Sequence, residues 1–197
     1  MDLSQAQIRL LVRWVSASTL GMLVGFVLTY AIVIAASAIF EGVNEDRLLS
    51  NVMVVALVAL TYTAAQWWVL RREIEGSAIW FLASIAGWVG AIALAAFLGG
   101  QGLIVTATFA GRVFLGIQVG LIVGIAQWLP LRRNFRWASY WILGSVIGWS
   151  MLMVGIGRSI TGIIEMALAG VAPSIFTGLV LVLLKGRTLM EGKGLAA

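Results

Sequence analysis

Few side chains in this sequence could do chemistry inside an apolar stretch. Glu165 is the one acid within a predicted span, and ionisable groups in such places are functional candidates by default. Arg158 lies seven residues earlier on the same helical face, and Arg112 opens the fourth span at the same membrane level. With the sixth span starting near 159, Glu165 lies only about 9 Å deep at a rise of ~1.5 Å per residue. It could then reach water, pair with an arginine, or be favoured by the helix amino end. Two readings stand for it, a structural ion pair and a coupling or binding group. Gln66 and Gln127 are the other candidates, each about one turn inside a pair of arginines. A glutamine there can clamp two helices with a hydrogen bond worth about 1 kcal/mol or less, or contact a solute. Gln127 continues a glycine stripe, three residues beyond Gly124, which favours the clamp.

Most catalytic chemistry is excluded by what is missing. The chain has no cysteine and no histidine, so thiolate nucleophiles, thiolate zinc sites, iron–sulfur clusters and histidine-ligated haem are all absent. Ser84 and Ser145 have no histidine to activate them, and no aspartate falls in any predicted span. The run Gly99-Gly-Gln-Gly102 lacks the Lys-Ser/Thr of a phosphate-binding loop. The sequence therefore predicts no enzyme, no metal and no cofactor. Any bound lipid or pigment would be held by packing, carbonyls or water.

These residues sit in a chain of 197 residues that is 61% hydrophobic and 11% charged. Soluble domains are nearer half apolar and a quarter charged, so the expected class is all-α and transmembrane. Disorder, a disulfide scaffold and a nucleic-acid binder are excluded on the same numbers. Six stretches are long and apolar enough to span: 10–40, 48–70, 78–98, 103–129, 138–156 and 160–184. Ala36-Ser37-Ala38 resembles a cleavage site, but a signal h-region is only ~7–15 residues, so the first helix is expected to stay. The connections are too short for a soluble domain, and residues 1–197 read as a single transmembrane domain.

Alternating topology puts ten basic residues at one membrane face: Arg9, Arg13, Arg71, Arg72, Arg132, Arg133, Arg136, Lys185, Arg187 and Lys193. Only Arg47, Arg112 and Arg158 fall at the other. Short loops rich in Lys and Arg stay in the cytoplasm, so both termini are predicted inside.

A repeat organises the chain. Residues 65–88 and 126–149 match at 11 of 24 positions without a gap, at an offset of 61. Both copies carry Gln-Trp-x-x-Leu-Arg-Arg and then Trp-x3-Ser-x2-Gly, as Trp80, Ser84 and Gly87 and as Trp141, Ser145 and Gly148. Trp14, Ser18 and Gly21 repeat the second pattern, and Leu184-Lys185 closes a degenerate third copy. The expected architecture is six helices as three like-oriented hairpins, with units of about 8–72, 76–133 and 137–187. A closed pseudo-threefold bundle and an open row fit the sequence equally.

The recurring residues have physical readings of their own. Trp14, Trp67, Trp68, Trp80, Trp128, Trp137 and Trp141 are predicted near the inner interface, where indoles prefer the headgroup level. Trp67 and Trp128, with Arg71, Arg72, Arg132 and Arg133, would fix helix depth. Trp88 and Trp149 lie two turns deeper and are expected to pack between helices or line a cavity. Gly116, Gly120 and Gly124, with Gly87 and Gly148, form small-residue stripes for close helix packing, within the chain or with another subunit.

The paired motifs resemble those of small multi-span membrane proteins of cyanobacteria and related bacteria, over roughly residues 8–187. That likeness implies a bacterial inner or photosynthetic membrane and no particular activity. The expected role is a non-catalytic accessory or scaffold subunit, packed against larger membrane-protein partners in a complex, for which an energy-converting complex would be suitable. In span number, length and tryptophan content the chain is also similar to the substrate-binding components of energy-coupling-factor vitamin transporters. That similarity implies small-solute binding or transport as the alternative.

Overall fold

The computed structural model describes residues 3–39, 47–102, 108–156 and 170–194. Among them are six helices and no strand: α1 (Gln5–Ile39), α2 (Arg47–Leu70), α3 (Ser77–Gly100), α4 (Phe109–Leu131), α5 (Tyr140–Ile156) and α6 (Val171–Gly194). Helices are what the composition demands, because a helix satisfies its own backbone where no water can. Four are long and apolar enough to cross a membrane, over Gln5–Ala35, Val52–Leu70, Ser77–Gly100 and Phe109–Leu131. The apolar parts of α5 and α6, Tyr140–Gly155 and Val171–Gly186, are shorter.

Local chemistry sets the ends. Ser4 Oγ accepts from the Gln7 N–H at 3.3 Å while Gln7 Oε1 accepts from the Ser4 N–H at 2.8 Å. This capping box starts α1 five residues before the predicted 10. Thr108 Oγ1 accepts from the Gly111 N–H at 3.0 Å, so α4 begins at Phe109 and not at the predicted 103. Gly76, at φ 71°, supplies the left-handed step that turns the chain from α2 into α3. Pro173 stands third in α6, in the first turn, where the backbone N–H it lacks would have had no helical partner.

Each helix packs against its neighbours in sequence, and α6 returns to α1, so the six close into a ring. Glycines let the backbones approach. A Cβ on Gly120 would stand 2.5 Å from Val146 Cα, and one on Gly124 3.0 Å from Ser145 Cβ. Gly116 meets Ser150 in the same seam between α4 and α5. Gly87 seats α3 on Ala126 and Val123 of α4, Gly148 seats α5 on Pro173 of α6, and Gly21 seats α1 on Thr61 and Ala65 of α2. These stripes are thus occupied by contacts within the chain.

The outside of the ring is apolar, with Leu20, Leu82, Val89, Phe97 and Leu143 exposed, as a lipid-facing surface requires. One end gathers charge. Lys185 pairs with Glu73, Gln7 Nε2 donates to the Val182 carbonyl at 3.4 Å, and Asn134 Nδ2 donates to the Glu75 carbonyl at 3.2 Å. The start of α1, both basic turns and the end of the apolar part of α6 therefore share this basic end. Arg47 and Arg112, at the starts of α2 and α4, belong to the opposite end.

Candidate functional site

The interior is built in layers from residues at matching places on the odd helices. Trp14 of α1, Trp80 of α3 and Trp141 of α5 have no solvent exposure. They meet edge to face around the ring axis, with centroids 6.3 Å apart for Trp14–Trp80, 5.6 Å for Trp14–Trp141 and 6.5 Å for Trp80–Trp141. The three thus turn into the bundle and do not face lipid, unlike the anchoring indoles expected there. The remaining tryptophans of that group stay outside the triad. Trp68 and Trp137 are exposed, while Trp67 and Trp128 are half-buried. The Arg71 guanidinium lies 5.7 Å from the Trp67 ring, Arg72 5.3 Å from Trp68, and Arg132 5.1 Å from Trp128.

An indole N–H buried in hydrocarbon needs a partner. Trp141 Nε1 donates to Gln127 Oε1 at 2.8 Å, and Trp14 Nε1 donates to Thr177 Oγ1 at 3.0 Å. Thr177 in turn donates to the Pro173 carbonyl at 2.6 Å. Trp80 and Gln66 stand 61 residues before Trp141 and Gln127, yet Trp80 Nε1 and Gln66 Oε1 are both buried without a hydrogen bond. The two repeat glutamines therefore differ, and so should their variants. Gln127→Leu is expected to lower stability by about 1–3 kcal/mol, because it strands the Trp141 N–H. Gln66→Leu strands no indole N–H and gives up only its place beside the Tyr62 hydroxyl, so its loss is expected to be smaller, about 1 kcal/mol or less. Thermal unfolding followed by tryptophan fluorescence compares the two, and equal losses would contradict the pairing.

Beyond the indoles lies a polar layer. Ser18, Ser84 and Ser145 are fully buried, and the Ser84 hydroxyl donates to the Trp80 carbonyl at 2.7 Å. The Tyr62 hydroxyl sits among the side chains of Ser174, Gln66 and Ser18. Gln118 spans the α3–α4 seam, donating to the Ala91 carbonyl at 3.0 Å. Thr177, Tyr62 and Gln118 were not singled out from sequence. Gln118 carried a usable signal, as an amide in mid-span between Gly116 and Gly120.

A second aromatic layer follows. Trp88 and Trp149 are buried with centroids 4.8 Å apart at 87°, and Tyr62 packs on Trp149 at 5.7 Å. Met22, Phe26, Val58, Trp88, Trp149 and Met153 line an apolar cavity of about 170 Å³.

Comparison with protein-family models, curated proteins and solved structures finds no match to this chain. The geometry alone carries the reading. Glu165 and Arg158 lie outside the described residues. Arg112, half-buried in the first turn of α4, is brought near neither Gln66 nor Gln127, which belong to the layer of the tryptophan triad. Among the described residues no three of Asp, Glu, His and Cys come together as a metal site would need. Among the described residues the interior offers packing, neutral hydrogen bonds and apolar cavities beside Trp88.

Proposed function

We propose that this chain is a non-catalytic integral membrane subunit, an accessory or scaffold component of a larger bacterial membrane complex. The observation that carries this reading is the tryptophan triad. Three fully buried indoles, locked edge to face on the axis, spend the largest side chains on closing the bundle at one end. A bundle closed that way offers its outer surface for interaction rather than a path through its middle.

Three like-oriented hairpins about a pseudo-threefold axis is the architecture we infer. Its support is positional. Fully buried Leu70, Leu131 and Leu181 each lie four residues beyond Gln66, Gln127 and Thr177. Buried Met22 stands eight residues after Trp14, as Trp88 does after Trp80 and Trp149 after Trp141. Gly21, Gly87 and Gly148 face Tyr62, Val123 and Pro173, each four residues before the amide or hydroxyl of its own copy. In this register Thr177 does in the third copy what Gln127 does in the second. Arg9, Arg13, Arg71, Arg72, Arg132, Arg133, Arg136 and Lys185 at one end support a cytoplasmic location for that end by the positive-inside rule.

The cavity beside Trp88 and Trp149 favours a second reading, in which the chain holds a small apolar solute. One experiment separates the two: gentle extraction from native membranes followed by native mass spectrometry. The scaffold reading expects stoichiometric protein partners and no retained solute. A lone monomer would count against it, and a monomer with a retained small molecule would favour the second.

A further inference from the structure

The basic end holds a feature that neither reading uses. A cavity of about 240 Å³ lies between the start of α1, the α2–α3 turn and α6, lined by Arg9, Arg13, Glu73 and Lys185 with Gln7 and Leu10. That is several times the ~30 Å³ a water occupies in the liquid. Three cations face one carboxylate, and that carboxylate is taken, because Glu73 pairs with Lys185. Arg9 and Arg13 follow each other at i and i+4 on α1, so both guanidinium groups project from one face. Among the described residues neither has an acidic partner. The Ser4–Gln7 box ties up the Ser4 and Gln7 N–H groups at the amino end of α1, and the guanidinium groups are the full charges the cavity offers an anion.

We propose that this cavity binds a phosphate oxyanion through Arg9 and Arg13. Two sources have that chemistry, the headgroup of an anionic membrane lipid and free inorganic phosphate. A planar guanidinium matches two phosphate oxygens at once, and basic pockets between membrane helices suit phospholipid headgroups. Directly below Arg9 and Arg13 the α1 surface becomes apolar, with Val12, Leu20, Val24 and Val27 exposed. An acyl chain whose headgroup occupied the cavity would lie along that surface. The Lys185–Glu73 pair fixes the far wall and leaves the two arginine charges to the ligand.

The test uses the full chain in nanodiscs of mixed phosphatidylglycerol and phosphatidylcholine, released into native mass spectrometry. The wild type is expected to keep phosphatidylglycerol about tenfold over phosphatidylcholine, a difference of about 1.4 kcal/mol. The Arg9→Gln/Arg13→Gln pair is expected to abolish that preference, and Arg9→Lys/Arg13→Lys to keep part of it. Arg132→Gln/Arg133→Gln, at the same end but outside the cavity, is expected to leave it unchanged. In discs of phosphatidylcholine alone, inorganic phosphate is titrated, and retention of phosphate by the wild type but not by the Arg9/Arg13 variant assigns the free ion as a source. An unchanged preference in Arg9→Gln/Arg13→Gln, or an equal loss in Arg132→Gln/Arg133→Gln, would overturn the proposal. All four arginines are at the bundle surface, and a matching melting temperature shows that the variants are folded.

Discussion

Gly120→Leu is expected to prevent α4 from docking on α5 and to leave the chain unable to form its closed ring. The seam has no room for even one carbon, since a Cβ at Gly120 would stand 2.5 Å from Val146 Cα and 2.9 Å from the Ser145 carbonyl oxygen. Both neighbours are backbone, so neither can rotate away as a side-chain tip could. Overpacking costs about 1–3 kcal/mol when side chains can adjust, and here whole helices must separate. That separation would also pull Gln127 from Trp141, because the two belong to α4 and α5. Gly90→Leu is the control, as a Cβ there meets only the Ile122 Cγ2 at 3.5 Å, ordinary contact. Size-exclusion profiles and limited proteolysis in detergent should show Gly120→Leu aggregated or cleaved and Gly90→Leu like the wild type. A folded, monodisperse Gly120→Leu would refute the seam. Since the partners of Gly120 are in its own chain, loss of a complex in this variant reports folding, not recruitment.

The helical class and the packing glycines were legible in the sequence for a simple reason. Long apolar runs and four-residue glycine spacing are local patterns, and the bilayer permits few ways to use them. The tryptophans show where local reading fails. Trp14, Trp80 and Trp141 share a basic neighbourhood with Trp67 and Trp128, and composition assigns them all to the headgroup level. Their spacing said otherwise. In Trp-x3-Ser-x2-Gly the indole lies on the helix face of the packing glycine, four and seven residues along, which turns it inward. Trp67 and Trp128 belong instead to helix ends beside Arg71 and Arg132 and stay half-buried. Thr177 was hidden for another reason. It accepts from Trp14 as Gln127 accepts from Trp141, but with a shorter group of another residue type, so residue type could not reveal the shared role.

The second large effect is expected at Trp141. Trp141→Ala removes a fully buried indole from the triad, and large-to-small changes of this kind cost about 3–5 kcal/mol. It also strands Gln127 Oε1, a further ~1–3 kcal/mol when a buried partner is left unpaired. Trp141→Phe and Trp80→Phe separate the two contributions. Both keep a ring on the axis and lose a similar volume, but only Trp141 gives up a hydrogen bond, since Trp80 Nε1 has none. Trp141→Phe should therefore be the more destabilising by about 1 kcal/mol. Bonds between membrane helices sit at the low end of their range, because the unfolded chain finds partners too. The comparison is made on melting temperatures in one detergent, with Gln127→Leu added to complete the cycle. If Trp141→Phe costs as much alone as on the Gln127→Leu background, the two side chains are uncoupled. A smaller cost on that background is what a bond between Trp141 and Gln127 requires.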